Sequence, residues 1–274
     1  MPPHIALCNI FDQDAERLAG FAKEHGFRAI DWSMDPALPE PEFRSHMRVL
    51  EGFQVRFHCR FHGIDPAFTD SRGEDSLALL LRTVDQVAAV GGRHMTVHSG
   101  LGNPSGAGIE ARRAIDNLAR LVAHGRRQGV AVALENLTTP LTNDPALFRR
   151  IVVESGAWVT VDIGHAHAVG QAQGRQGIFR DYVLPHRHRI RNAHIYHTEL
   201  DGYGHVPPAC LADFHDRLDL LGLAEACDWW VIELMQPADI LHTRDLLQSY
   251  LHLAAGRNDT AVHENPLPLS AMSA

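Results

Sequence analysis

The sequence predicts an α/β fold, a single (β/α)8 TIM barrel, and three observations carry that expectation. Short apolar, β-branched runs alternate with longer segments of helical pattern, the signature of βαβ units around a parallel sheet. The alternation repeats until eight strands and eight helices are placed. The length, 274 residues, suits one domain of this kind, for which about 250 residues are typical.

In chain order, strand 1 is expected at His4–Ile10 and a helix at Asp14–His25. Strand 2 is Ala29–Met34, followed by a helix over Pro41–Gly52. Strand 3 is Val55–Phe61, with a long helix from about Gly73 to Val90. Strand 4 is His94–His98, with a helix at Ile109–Gly129. Strand 5 is Val130–Glu135, and Asp144-Pro145 reads as an N-cap with proline at the first helical position of Pro145–Ser155. Strand 6 is Trp158–Asp162, with a helix near Ile178–Val183. Strand 7 is Asn192–Tyr196, with a helix at Cys210–Leu221. Strand 8 is Trp229–Leu234, and the last helix is Asp239–Ala255. Gly26, Gly92, Gly129, Gly156 and Gly222 stand where helices stop before strands. The barrel domain is assigned to residues 1–256, and the polar, proline-bearing segment 257–274 to a loosely ordered tail.

Composition excludes several function classes. Hydrophobic residues make up 45% and charged residues 21%, ordinary values for a globular chain. No run of 18 apolar residues is present, so no membrane span is expected. Met1-Pro2-Pro3-His4-Ile5 leads straight into a strand and lacks the basic and apolar regions of a secretory leader. Cys8, Cys59, Cys210 and Cys227 are scattered, which fits a reducing cytoplasm and neither a disulfide framework nor a thiolate zinc site. A formal charge of -8 makes nucleic acid a poor partner, because phosphate contacts supply most of that affinity. Nineteen histidines contrast with a single lysine, Lys23, which lies in an amphipathic helix near the start of the chain; Schiff-base chemistry therefore has almost nowhere to be housed.

Potential metal ligands fall at the ends of six successive strands: His58, His98, Glu135, Asp162, His194 and Glu233. In a closed barrel these ends converge on one mouth, where barrel enzymes carry their chemistry. A carboxylate after an apolar run such as Val130-Ala131-Val132-Ala133-Leu134 sits at the edge of a dry core, and burial there is costly unless the charge is paired or metal-bound. Three such acids repel one another. A divalent cation resolves the repulsion, and His194 completes a mixed oxygen and nitrogen set suited to Mn²⁺, Co²⁺, Mg²⁺ or Zn²⁺. His197 competes with His194, but strand parity puts it on the opposite face.

Leu134-Glu135-Asn136, Asp162-Ile163-Gly164-His165, Ala193-His194-Ile195 and Ile232-Glu233, in that order and at barrel spacing, resemble the xylose isomerase-like barrels, the superfamily that also holds endonuclease IV. The resemblance covers roughly residues 4–256. It implies Glu135, Asp162, His194 and Glu233 as the metal set, with His165 a substrate-facing or second-metal histidine. It leaves two activities open. A sugar or sugar-phosphate isomerase or epimerase uses Glu135 and Glu233 as an acid–base pair across the metal. An endonuclease IV-like zinc phosphodiesterase, acting on a small phosphodiester or abasic nucleic acid, recruits His58 and His98 to a second metal bridged by Glu135. The first is the leading expectation, on the glutamate pair and the family's base rate, although Leu200 stands where some epimerases carry an arginine. Against the second, Tyr203-Gly204-His205 lacks the aspartate of the endonuclease Asp-x-His pattern, so no third metal is expected.

Other mouth residues carry softer expectations. His58 and His98 are substrate contacts or second-metal ligands. Arg60 shares the His58 face and suits a phosphate or carboxylate. His205, in the loop after strand 7, is read as a substrate contact or a solvated loop residue. Trp32, near the end of strand 2, is read as a stacking surface for a sugar ring or, more commonly for such a residue, as core or rim packing. The loop Gly100-Leu101-Gly102-Asn103-Pro104 offers backbone N–H groups to an anion. The expected partner is a small sugar or sugar phosphate, and barrels of this kind are often homo-oligomers.

Overall fold

A computed structural model describes residues 2–263 of the chain. Eight parallel strands close into a barrel: β1 (His4–Cys8), β2 (Ala29–Ser33), β3 (Gln54–Cys59), β4 (His94–Val97), β5 (Ala131–Glu135), β6 (Trp158–Asp162), β7 (Ile190–Ile195) and, after the hairpin β8 (Thr198–Leu200)–β9 (Gly204–Val206), β10 (Trp229–Ile232). β1 pairs with both β2 and β10, so the sheet has no edge. The helices are α1 (Ala15–Glu24), α2 (Glu40–Val49), α3 (Ser71–Ala89), α4 (Ala111–Gln128), α5 (Pro145–Ser155), α6 (Ile163–Ala172), α7 (Phe179–Val183), α8 (His215–Leu221) and α9 (Pro237–His263). The expected single (β/α)8 barrel is therefore the fold. No helix among the described residues is long and apolar enough to cross a membrane.

The helix starts follow local chemistry. Asp14, Asp70 and Asp144 each accept hydrogen bonds from backbone N–H groups of α1, α3 and α5, satisfying donors that have no partner within the helix. Gly129 and Gly156 end α4 and α5 with φ of 73°, the left-handed cap that a Cβ would oppose. Two expected stops differ: Gly222 is right-handed, with φ of -58°, and Gly91 rather than Gly92 takes the positive φ.

The structure adds two elements and reshapes others. Helix α6 was not expected, because its Ile163, Gly164, His165, Ala166, Val169 and Gly170 are all buried and leave no clear polar stripe. The hairpin β8–β9 has strands of three residues, too short to show an alternation. The helix expected over Cys210–Leu221 splits into a short 3-10 turn and α8. Helix α9 runs on to His263, into the segment read as a tail, and residues 264–274 lie outside the described residues.

The main core lies between the outer strand faces and the helices. Leu7, Ile30, Phe57, Val97, Leu134, Val161 and Ile232 all belong to it. Inside the barrel a small apolar group, Ala6, Cys8, Ala29, Trp229 and Val231, shares space with polar side chains. Thr96 and Thr160 bond across the interior at 2.7 Å, and Asp31 accepts from Trp229 Nε1 at 3.2 Å. Bulky branched residues usually fill this space. Here the polar filling continues up to the mouth.

Candidate metal centre

Alternation along each strand decides which side chains enter the barrel. His58, His98, Glu135, Asp162 and Glu233 follow it directly from the ends of their strands. β7 needs a correction of register. Val159 pairs with Ile190 and Thr160 with Asn192, so Arg191 is an extra residue opposite β6. Such a bulge re-aims the side chains that follow it. Asn192 and His194 thereby point inward, and both are fully buried.

The six predicted strand-end ligands converge. His58 Nε2 lies 2.8 Å from His98 Nε2, and these nitrogens lie 3.2 and 2.9 Å from Glu135 Oε2. The other Glu135 oxygen, Oε1, lies 3.1 Å from His194 Nδ1. That nitrogen is also 3.4 Å from Glu233 Oε2 and 3.7 Å from Asp162 Oδ2. Glu135 is thus shared by two candidate ligand groups, His58–His98–Glu135 and Glu135–Asp162–His194–Glu233.

The electrostatics say what these groups lack. Glu135, Asp162 and Glu233 are at most 2% exposed, and among the described residues their only ion-pair partners are histidines. Burial pushes Glu135 up, but His194 and His98 outweigh it and hold the carboxyl well below its ordinary range. Burial likewise acts against Glu233, and His194 and His58 hold it low. His194 would be lowered by burial, yet Glu135 and Glu233 keep it well above the usual imidazole range. His98 differs: burial wins over Glu135 and pushes it down to about 4. His58 Nδ1, His98 Nδ1 and His194 Nε2 are buried with no hydrogen-bond partner. Clustered acids relieved only by histidines, with ring nitrogens converging on one carboxylate, fit divalent cations well.

A third group forms at the rim. His165 Nε2 lies 3.4 Å from Glu199 Oε2, and His205 completes the set. Each histidine directs Nδ1 to a backbone carbonyl, Asn136 O at 3.0 Å for His165 and Glu233 O at 2.6 Å for His205. That contact fixes the ring and leaves Nε2 for a ligand. Along the sequence, Tyr203-Gly204-His205 offers no carboxylate for a third set; the pairing of β8 with β9 sets Glu199 opposite His205 and brings one beside the two histidines.

The surrounding residues hold this arrangement. Asp162 also caps α6 through Oδ1, which accepts from His165 N at 2.7 Å. Its Oδ2 accepts from the Tyr196 hydroxyl at 3.0 Å, and the Tyr196 ring stacks on His205 with centroids 3.9 Å apart. Gly164 has to be small, since a Cβ there would run into the Tyr196 ring. Beneath the ligands, Asp31 is fully buried and sits 4.0 Å from His58 Nδ1. Burial raises its carboxyl, with His58 opposing.

A cavity of about 300 Å³ opens above the ligands, lined by His58, His98, Glu135, His165, His205 and Glu233 together with Arg60. His62, Thr138, Thr139 and Glu199 line it too, and the sequence reading singled out none of them. Gly100 of the predicted anion loop gives its N–H to Asp65 at 2.5 Å, so Leu101 and Gly102 are the loop residues at the cavity. Trp32 requires correction. It is 3% exposed on the outer face of β2, edge-on to His46 of α2 at 5.3 Å, and cannot stack on a molecule in the mouth. His197 likewise faces away, beside His167 and Arg217.

Comparison with known proteins agrees with this architecture. A family model described as "Xylose isomerase-like TIM barrel" matches residues 19–250. The uncharacterized protein MJ0008 of Methanocaldococcus jannaschii is 27% identical over 191 residues, 70% of this chain and 80% of its own length. A solved L-ribulose 3-epimerase superposes with a TM-score of 0.75 at 17% identity, covering 97% of this chain and 100% of that one. Endonuclease IV of Thermus thermophilus superposes with a TM-score of 0.64 at 14% identity, covering 91% and 98%. At these identities the superpositions speak for the fold.

Proposed function

The chain belongs to the xylose isomerase-like TIM barrel family, and from that premise we propose that it is a divalent-metal-dependent hydrolase of a small phosphodiester. The observation that carries this reading is the placement of the two Glu135 oxygens, one in each of two adjoining ligand groups. A carboxylate so shared suits a two-ion centre, and such centres supply an activated water and hold the entering and leaving oxygens of an in-line displacement. The presence of imidazole in both groups, two of the three ligands in the His58 group, favours Zn²⁺, Mn²⁺ or Co²⁺ over Mg²⁺.

This chain's residues then take definite parts. His58, His98 and Glu135 form one ion set, and Glu135, Asp162, His194 and Glu233 the other. His165, Glu199 and His205 would hold a third ion at the rim. Arg60, at the cavity wall, holds a non-bridging phosphate oxygen. A cavity of about 300 Å³ at the low end of ligand sites suits a small phosphodiester or sugar phosphate. The net charge of -8 disfavours nucleic acid. Scattered, unpaired cysteines suit the cytoplasm.

A second reading has its own support. Glu135 and Glu233 both lie close to the same His194 nitrogen, at 3.1 and 3.4 Å. In a sugar or sugar-phosphate isomerase or epimerase, one glutamate would remove a proton beside a carbonyl and the other would return it. The sequence favoured this second activity; the placement of the two Glu135 oxygens in adjoining ligand groups supports ranking the hydrolase first.

The test pairs metal counting with two activity screens on protein purified without chelators. Two or three ions per chain, with hydrolysis of bis(p-nitrophenyl) phosphate or another small phosphodiester, is the expected result. A single ion together with solvent deuterium entering ketoses or ketose phosphates at carbon would overturn it in favour of the epimerase.

A further inference from the structure

The opposite end of the barrel carries a second cavity, of about 410 Å³, at the N-terminal ends of the strands. Its lining includes Arg56, Arg93, His94, Trp158, Arg191 and Trp229. Three guanidinium groups around one cavity are unusual at a face whose residues generally serve stability. Arg56 has a structural account: it donates to Arg191 O at 2.7 Å and pairs with Asp228 at 2.6 Å, while stacking on Trp229. The other two have none of that kind. Arg191 is the bulged residue of β7. Its guanidinium lies over the Trp158 ring at 4.2 Å, its Nε is buried without a partner, and no carboxylate pairs with it among the described residues. Arg93 stands exposed at the rim, beside Gly129, also with no acidic partner among the described residues.

His94 makes the demand sharper. It is 4% exposed, and neither ring nitrogen has a hydrogen-bond partner. A buried polar side chain with nothing to bond costs on the order of 1–3 kcal/mol, so such groups normally have a protein, water or ligand partner. Burial, followed by the charge of Arg56, lowers His94 well below its ordinary range. The ring is therefore neutral at pH 7 and keeps one N–H to donate. Among the described residues no acid lines the cavity, and Asp228 is paired with Arg56.

We propose that this basal cavity is a binding site for a small oxyanion, a phosphate or phosphate ester, held by Arg93 and Arg191 above His94. The planar guanidinium fork matches such an anion, and the indole faces beneath Arg56 and Arg191 hold two of the three forks in place. The site is separate from the mouth and does not depend on which reaction occurs there.

Tryptophan fluorescence tests it locally, because Trp158 and Trp229 line this cavity while no tryptophan lines the mouth. Inorganic phosphate, titrated into the protein as purified at low ionic strength, is expected to give a saturable change. R191Q and R93Q should weaken it at least tenfold, while R60Q at the mouth leaves its midpoint unchanged. R93Q alters an exposed side chain, so it carries the test even if R191Q fails to fold. No saturable change in the parent protein, an unchanged midpoint in R93Q, or a signal abolished by R60Q would each overturn the assignment.

Discussion

Replacing Glu135 by glutamine keeps the side-chain shape and removes the one charge that two ligand groups share. Glu135 is 1% exposed, with Oε2 at 2.9 Å from His98 and Oε1 at 3.1 Å from His194. Losing a partner that merely orients a ligand weakens metal binding by about 10–100-fold. Loss of a direct anionic ligand should reach at least the upper end, roughly 100-fold or about 2.7 kcal/mol, at each ion. Because the residue is shared, both ions should weaken together. His98→Asn should affect mainly the His58 group, and Asp162→Asn mainly the His194 group. Competition against a chromophoric chelator gives the affinities, and elemental analysis after dialysis gives the stoichiometry. The reasoning fails if Glu135→Gln sheds one ion while the other binds as tightly as before.

Three further outcomes are expected. Glu199→Gln should lower activity about 10–100-fold with the melting temperature nearly unchanged, since its side chain is 29% exposed and, among the described residues, meets Thr138 and His165 alone in hydrogen bonds and ion pairs; wild-type activity would remove the rim group from the mechanism. Gly164→Ala should destabilise the protein by about 1–3 kcal/mol, because the new methyl group displaces Tyr196 from Asp162 and His205; urea unfolding measures it, and a change below about 0.5 kcal/mol would contradict the packing. Metal-free protein should lose stability as pH falls from about 6.5 toward 4. Burial pushes His98, His167 and His186 down to about 4, so in that window the unfolded chain binds protons that the folded chain refuses. Thermal melts in a chelator across this range check the sign, and a rising melting temperature would contradict it.

Much of the site was legible because strand geometry is local. A period of two and an apolar run ending in a polar residue are enough to place His58, His98, Glu135, Asp162 and Glu233 at one rim of a closed barrel. Other signals were present but unused. Asp31 interrupts the buried run Ala29-Ile30-Asp31-Trp32-Ser33, which marks it as an inward acid by the same cost that identified Glu135. The parity that puts Asp31 inside also turns Trp32 outward.

The sequence by itself determined the barrel and put potential metal ligands at its strand ends, since both follow from residue type and spacing along a single strand. Only the tertiary structure decided that Glu199 joins His165 and His205. That contact depends on pairing two three-residue strands and on α6 turning His165 back over the mouth. Tertiary structure alone also divided Glu135 between two groups and gathered Arg93, His94 and Arg191 at the base. Those relations run between strands, through barrel closure and one bulge in β7, and a pattern read along the chain carries no term for distance across it.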